Sequence, residues 1–325
     1  MAAKTQDIRM MIQVFKLAAV RTLALALLAT VACHENEPLS PEGGIQAAGD
    51  NGPQLASAAT APGIVFLSFD LDNAQLGSVH TGSMRSPGPT NILSLLSGAR
   101  AKGARVIVKL SGSKSGITNA DGTFNLTKWK SMIARFKAVN LAPYIQDGTL
   151  LGHFLIDEPD LEGEWGGTPV SQAKVESMAK YSKGIWPALP TFVMARARWL
   201  AQSSITYTYL DAAWGQYSAP KGSLSTFISR EVSSAKTKRL GLMFGLNILD
   251  GGNGSSGIAG FRSGHWAMSA SELKTYGEAL LANTYACGFS MWKYSSSYYG
   301  RADIKSAMLS LSTKSKGHAK TPCVQ

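Results

Sequence analysis

The chain has 325 residues, 45% of them hydrophobic and 16% charged, enough to build a substantial core and too apolar for a wholly disordered chain. Its net charge of +11 invites a nucleic-acid reading. The excess is largely terminal: Lys4, Arg9, Lys16 and Arg21 stand against Asp7 in residues 1–33, and five cations stand against Asp303 in residues 301–325. No basic cluster is interleaved with aromatics, so nucleic acid is not an expected partner.

Residues 22–32, TLALALLATVA, form an apolar run shorter than the ~20 residues a membrane span needs. Basic residues precede it and small ones close it, as in the h-region of a signal peptide. The run ends at Cys33, and Thr-Val-Ala-Cys resembles a bacterial lipobox with Thr30 where Leu is usual. Residues 1–33 are therefore expected to direct export, with Cys33 lipidated and the protein held at the periplasmic or cell surface. The alternative is ordinary secretion. Residues 34–62, rich in Glu, Pro, Gly and Ala, read as a flexible tether.

From residue 64 onward, β-rich runs alternate with amphipathic segments. The strands are expected at 64–70, 105–110, 150–157, 191–197, 210–217, 240–249 and 286–294. The helices are expected at 91–102, 126–139, 171–186, 223–235, 269–283 and 302–312. Thr90, Ser171 and Ser269 are capping residues, and Ser269 with Glu272 has capping-box spacing. This alternation predicts an α/β fold over residues 63–313: a (β/α)8 TIM-type barrel, complete or distorted, with an open doubly wound sheet as the alternative. Residues 314–325 are a basic tail. Gly-rich 251–257 lacks a phosphate-loop ending and reads as a mobile loop. Of the three cysteines, Cys287 and Cys323 are free to bond in an oxidising compartment, but a buried thiol plus a tail thiol is the preferred reading.

Strand parity sets the expected faces. In the first strand, Val65, Leu67, Phe69 and Leu71 are assigned to the outer, helix-covered face and Ser68 and Asp70 to the inner one. In the 240–249 strand, Leu242, Phe244, Leu246 and Ile248 face outward and Asn247 inward. In the last, Trp292 and Tyr294 point inward at the C-terminal end, where barrel enzymes carry their sites.

The run Gly-His-Phe-Leu-Ile-Asp-Glu-Pro-Asp (152–160) ends a strand in two adjacent carboxylates and a proline. Here the chain resembles the clan A (β/α)8 glycoside hydrolases, whose fourth strand ends in Asn-Glu-Pro with that Glu as acid/base. The resemblance implies an O-glycosyl hydrolase in which Glu158 is the general acid. Asp157 replaces the Asn, and a second negative charge raises its neighbour's pKa. The family's strand-7 Glu nucleophile has no counterpart, so Asp70 or Asp250 must supply the second carboxylate, with Asp70 preferred on parity. By count, the Asp-Glu-Pro strand is third rather than fourth. Trp292, Trp214, Tyr294 and Asn247 are candidate sugar contacts. Lys109 and Arg196 either pair with the strand-end acids or bind an anionic sugar such as a uronate. The histidines are too scattered for a metal set, and no cofactor is implied. The rival reading is a catalytically silent, carbohydrate-binding or scaffold barrel. Oligomeric state is left open.

Overall fold

The computed structural model describes residues 63–77 and 79–324; the leader, Cys33 and the tether lie outside the described residues. Eight parallel strands close into a barrel in the order β1 to β8: Val65–Phe69, Gly82–Arg85, Arg105–Val108, Leu150–Asp157, Thr191–Met194, Ala212–Tyr217, Gly241–Asn247 and Ala286–Trp292. β8 pairs with β1, which closes the barrel and excludes the open-sheet alternative. The helices are α1 (Ile92–Arg100), α2 (Leu126–Ala134), α3 (Ala142–Gln146), α4 (Gln172–Ile185), α5 (Ala197–Ala201), α6 (Leu224–Lys238), α7 (Ala270–Leu281), α8 (Ser296–Tyr299) and α9 (Ala302–Gly317).

Local chemistry explains the helix starts. The side chains of Ser171 and Ser223 cap α4 and α6, and Ser269 and Glu272 complete a reciprocal capping box at α7. Asn125, part of a sequon, caps α2.

The core has two layers. Between strands and helices lie Phe66, Val106, Leu155, Leu242, Phe244, Phe289 and the apolar helix faces. Inside the barrel, Val65, Leu67, Met84, Ile107, Phe154, Phe192, Trp214 and Met243 pack on one another. The outward parity of Leu242, Phe244, Leu246 and Ile248 holds. That of β1 is reversed. Val65 and Leu67 fill the interior, and Ser68 faces out, where its hydroxyl meets Tyr299 Oη at 2.9 Å and donates to the Met291 carbonyl. The interior of a barrel is a packed apolar layer, so an alternating strand does not itself reveal which face is which.

Gly82–Arg85 is a strand that lacks β-branched residues and was not anticipated; it makes the Asp-Glu-Pro strand the fourth. Cys287 and Cys323 are disulfide-bonded, contrary to the two-thiol reading. The tail runs beneath the N-terminal ends of β7 and β8. Its Cys323 carbonyl lies so close to Gly241 that a Cβ there would sit 2.3 Å away.

Candidate active site

The C-terminal ends of the strands form the mouth. Against β5, the register of β4 slips between Phe154 and Asp157. Glu158 follows with φ +41°, in the left-handed region that residues other than glycine seldom occupy. Its backbone is held at three points. Its N–H donates to the Met194 carbonyl at 2.9 Å, and its own carbonyl accepts from Trp165 Nε1 at 3.0 Å and from the Leu161 N–H at 3.2 Å.

Two cavities meet at Glu158. One, of about 130 Å³, is bounded by Lys109, Lys114, Asp157, Glu164 and Trp165. The other, of about 150 Å³, is bounded by Asp160, Arg196, Trp214, Gln216 and Lys221. Burial pushes the Glu158 carboxyl up to about 7, and the neighbouring Asp157 adds to the rise while Lys221 opposes it. Burial also raises Asp157, against the pull of Lys109, and its Oδ1 has no hydrogen-bond partner among the described residues. Lys221 is lowered by burial and partly restored by Glu158; its ammonium donates to the Gln216 carbonyl at 2.7 Å.

The other anticipated residues are distributed as follows. Arg196 grips Asp160 with Nε at 3.2 Å and Nη2 at 2.8 Å, so this cation pairs with the acid beyond the strand rather than with Asp157 or Glu158. Lys109 stands beside Asp157 at the end of β3. Trp214 is 1% exposed and fills the barrel interior, its ring 5.9 Å from that of Phe154. It lies across Gly245, where a Cβ would come within 2.3 Å of the indole nitrogen. It is among the residues lining the Glu158 cavity, but at 1% exposure it offers no open face for stacking.

Asp70, at φ +60°, follows β1 on another wall of the mouth. Its side chain is 45% exposed and lies 3.8 Å from Lys293 Nζ. Asp250 is buried and committed to its own loop. Its Oδ1 accepts from the Arg262 N–H at 2.9 Å and its Oδ2 from Arg262 Nε at 3.0 Å. The stretch after β7 is therefore tied to its own far end by hydrogen bonds. Asn247 ends β7 beside Trp292, and its Oδ1 accepts from the Asp250 N–H. Trp292 is half-buried with the Phe261 ring edge-on at 5.5 Å, and the Trp292–Lys293 peptide is cis. Tyr294 opens onto a 730 Å³ cleft between the loops after β7 and β8.

Lys221, Lys114 and Glu164 were missed from sequence. Lys221 carried a signal: it is a cation in a Pro-Lys-Gly turn just beyond a barrel strand. Among the described residues, no group of three His, Cys, Asp or Glu side chains is arranged to hold a metal.

No protein-family profile matches the chain, and no curated protein matches it in sequence. Solved structures do match it in fold. A β-glucanase from Saccharophagus degradans aligns at TM-score 0.55 and 8% identity, over 78% of this chain and 88% of that one. A cellulase in complex with an inhibitor aligns at 0.51 and 10%, over 78% and 92%. A GH2 β-galacturonidase from Eisenbergiella tayi, bound to galacturonate, aligns at 0.50 and 12%, over 80% of this chain and only 52% of that one. This chain also spans 64% of the matched chain in a ScGas2 complex. At these identities the likeness is one of architecture: the chain has the closed (β/α)8 barrel found in these glycoside hydrolases.

Proposed function

We propose that the protein is an exported glycoside hydrolase that cleaves a carbohydrate with Glu158 as general acid. The observation that carries this reading is the Glu158 carboxyl itself. It sits at the C-terminal end of β4, flanked by cavities, and keeps its proton up to about pH 7. A general acid must arrive protonated and still be able to release that proton to a leaving oxygen, and a pKa near the working pH serves both needs. Asp70, half exposed on the mouth beside Lys293, serves as base or nucleophile in this reading, since Asp250 is spent on Arg262. Asp157 supplies the charge that helps hold the proton on Glu158. Trp292, Tyr294 and Asn247 line the mouth as sugar contacts.

The test is Glu158→Gln, assayed with wild type on a polysaccharide panel by reducing-end release. Wild type is expected to turn over at least one polymer, and the variant to lose about 10²–10⁴-fold. Unchanged turnover in the variant removes Glu158 from the mechanism. One observation favours a second reading, a silent carbohydrate-binding barrel: β7 ends in Asn247, where clan A hydrolases carry a Glu. Binding without turnover by wild type would establish that reading instead.

Export is supported by the leader pattern and by the Cys287–Cys323 disulfide, since such bonds persist in oxidising compartments. Anchoring through Cys33 predicts a mature N-terminus that begins at a lipidated cysteine. A mass spectrum of the mature protein showing an unmodified start elsewhere would refute the anchor.

A further inference from the structure

Charge is distributed unevenly around the mouth. The two cavities at Glu158 are lined by four cations and four carboxylates, and the closest of these are already paired: Arg196 with Asp160 at 2.8 Å and Lys114 with Glu164 at 2.7 Å. The 730 Å³ cleft between the β7 and β8 loops is different. Its lining contains Lys293 and Arg301 and no carboxylate. Their ion-pair partners, Asp70 at 3.8 Å and Asp303 at 3.3 Å, stand outside the lining and are themselves half exposed. Such solvent-exposed pairs are weak and screened, so both cations can turn to a ligand at little cost.

The rest of the cleft suits a sugar. Phe261, 61% exposed, forms an aromatic wall, with the Lys293 ammonium 4.7 Å from its ring centre. Tyr294 and Ser296 add hydroxyls, and neither makes a side-chain hydrogen bond to another described residue. Arg262, fastened to buried Asp250 by main chain and side chain, fixes the loop that carries Phe261, so the wall is positioned before any ligand arrives. The volume falls within the range of ordinary small-ligand sites.

We infer that this cleft is a binding subsite for an acidic sugar unit, a carboxylate or sulfate group on a glycan, held by Lys293 and Arg301 beside the aromatic wall. The inference rests on the carbohydrate half of the proposed function and names its substrate class as anionic. It places anion recognition at the rim beyond β7 and β8 rather than at Lys109, which stands beside Asp157, or Arg196, which pairs with Asp160.

The test is calorimetric titration of the full-length Glu158→Gln protein with three probes: an oligogalacturonate, a sulfated galactan oligosaccharide and a neutral cello-oligosaccharide. The acidic probes are expected to bind more tightly than the neutral one, with affinity falling as NaCl is added. Lys293→Met and Arg301→Met should each weaken acidic binding by about tenfold, while Lys293→Arg and Arg301→Lys should retain most of it. Thermal melts confirm that each variant folds. Comparison of the carboxylate and sulfate probes identifies which acid is read. Absence of acidic binding, equal affinity for the neutral probe, or indifference to both methionine variants overturns the inference. The two readings fail separately. Turnover of a neutral glycan by wild type with no acidic binding leaves the hydrolase and removes the subsite. Acidic binding through Lys293 without any turnover leaves the subsite and removes the hydrolase.

Discussion

Glu158 is the residue on which the functional reading turns, and its proton is contested by its surroundings. Burial and the Asp157 charge favour the acid form, and Lys221 favours the carboxylate. The net result is a group protonated below about pH 7 and ionised above it, so activity that requires a proton donor should fall as pH rises through that value. Removing Lys221 removes the opposing influence. Lys221→Met is therefore expected to move the alkaline limb of the kcat/KM profile to higher pH, with the acid limb unmoved. An alkaline limb that stays in place would show that Lys221 does not control the acid. Asp157 and Glu158 are legible in the sequence because adjacent carboxylates at the end of an apolar run are conspicuous. Lys221 is not, because its relation to Glu158 exists only after β6 and β4 are brought to the same cavity. The roles of Asp70 and Asp250 were equally hidden. Both follow barrel strands, and only the closed structure shows one half exposed and the other consumed by Arg262.

At the scale of elements, the signals that succeeded were those with a local physical cause. Capping by Ser171 and Ser269 placed two helix starts, whereas Thr90 does not cap α1, whose N-cap position is Asn91; the continuous β-rich run 150–157 placed β4 without error. The signals that failed needed tertiary knowledge. Four-residue Gly82–Arg85 has neither β-branched residues nor a long apolar run, and it is a strand because β1 and β3 flank it with matching backbone hydrogen bonds. Without it, the acid-bearing strand counts as third; with it, that strand is the fourth. In β1, residues of both parities are apolar or small, and the distinction between barrel interior and helix layer is made by neighbours: Val65 faces Met243, whereas Ser68 is satisfied by Tyr299. In β7, glycines at 241 and 245 mark the inward side because the Cys323 carbonyl and the Trp214 ring occupy the space a side chain would need. The glycines after β7 predict a mobile loop; in the structure a buried acid that no composition argument could place there, Asp250, ties the start of that segment to Arg262.

For the molecule as a whole, the two ends of the barrel differ: the proposed site residues gather at the C-terminal mouth, and residues 318–323 pack at the opposite end against the starts of β7 and β8. α9 is joined to the start of β1 by the Ser315 carbonyl accepting from Ile64 and by the Ser315 hydroxyl donating back to the Ile64 carbonyl. Beyond it, His318 and Thr321 bond the carbonyls of Asn283 and Thr284, and Cys323 is fastened to Cys287 on β8, where it packs against the interior cluster. The bond closes a span of 36 residues. On the chain-entropy account, such a cross-link stabilises the fold by about 4 kcal/mol, by removing freedom from the unfolded ensemble. Cys323→Ser should therefore lower the melting temperature by about 8 °C for a domain of this size. Because the bond lies at the end of the barrel away from Glu158, turnover below the melting transition should be unchanged. Wild type treated with a reductant should melt with the variant, and the variant should be insensitive to the reductant. If the variant melts with untreated wild type, the hydrogen bonds of His318 and Thr321 and the packing on Gly241 hold the tail on their own. A loss of turnover at temperatures where the variant remains folded would instead mean that closure of the lower end governs the geometry of the mouth.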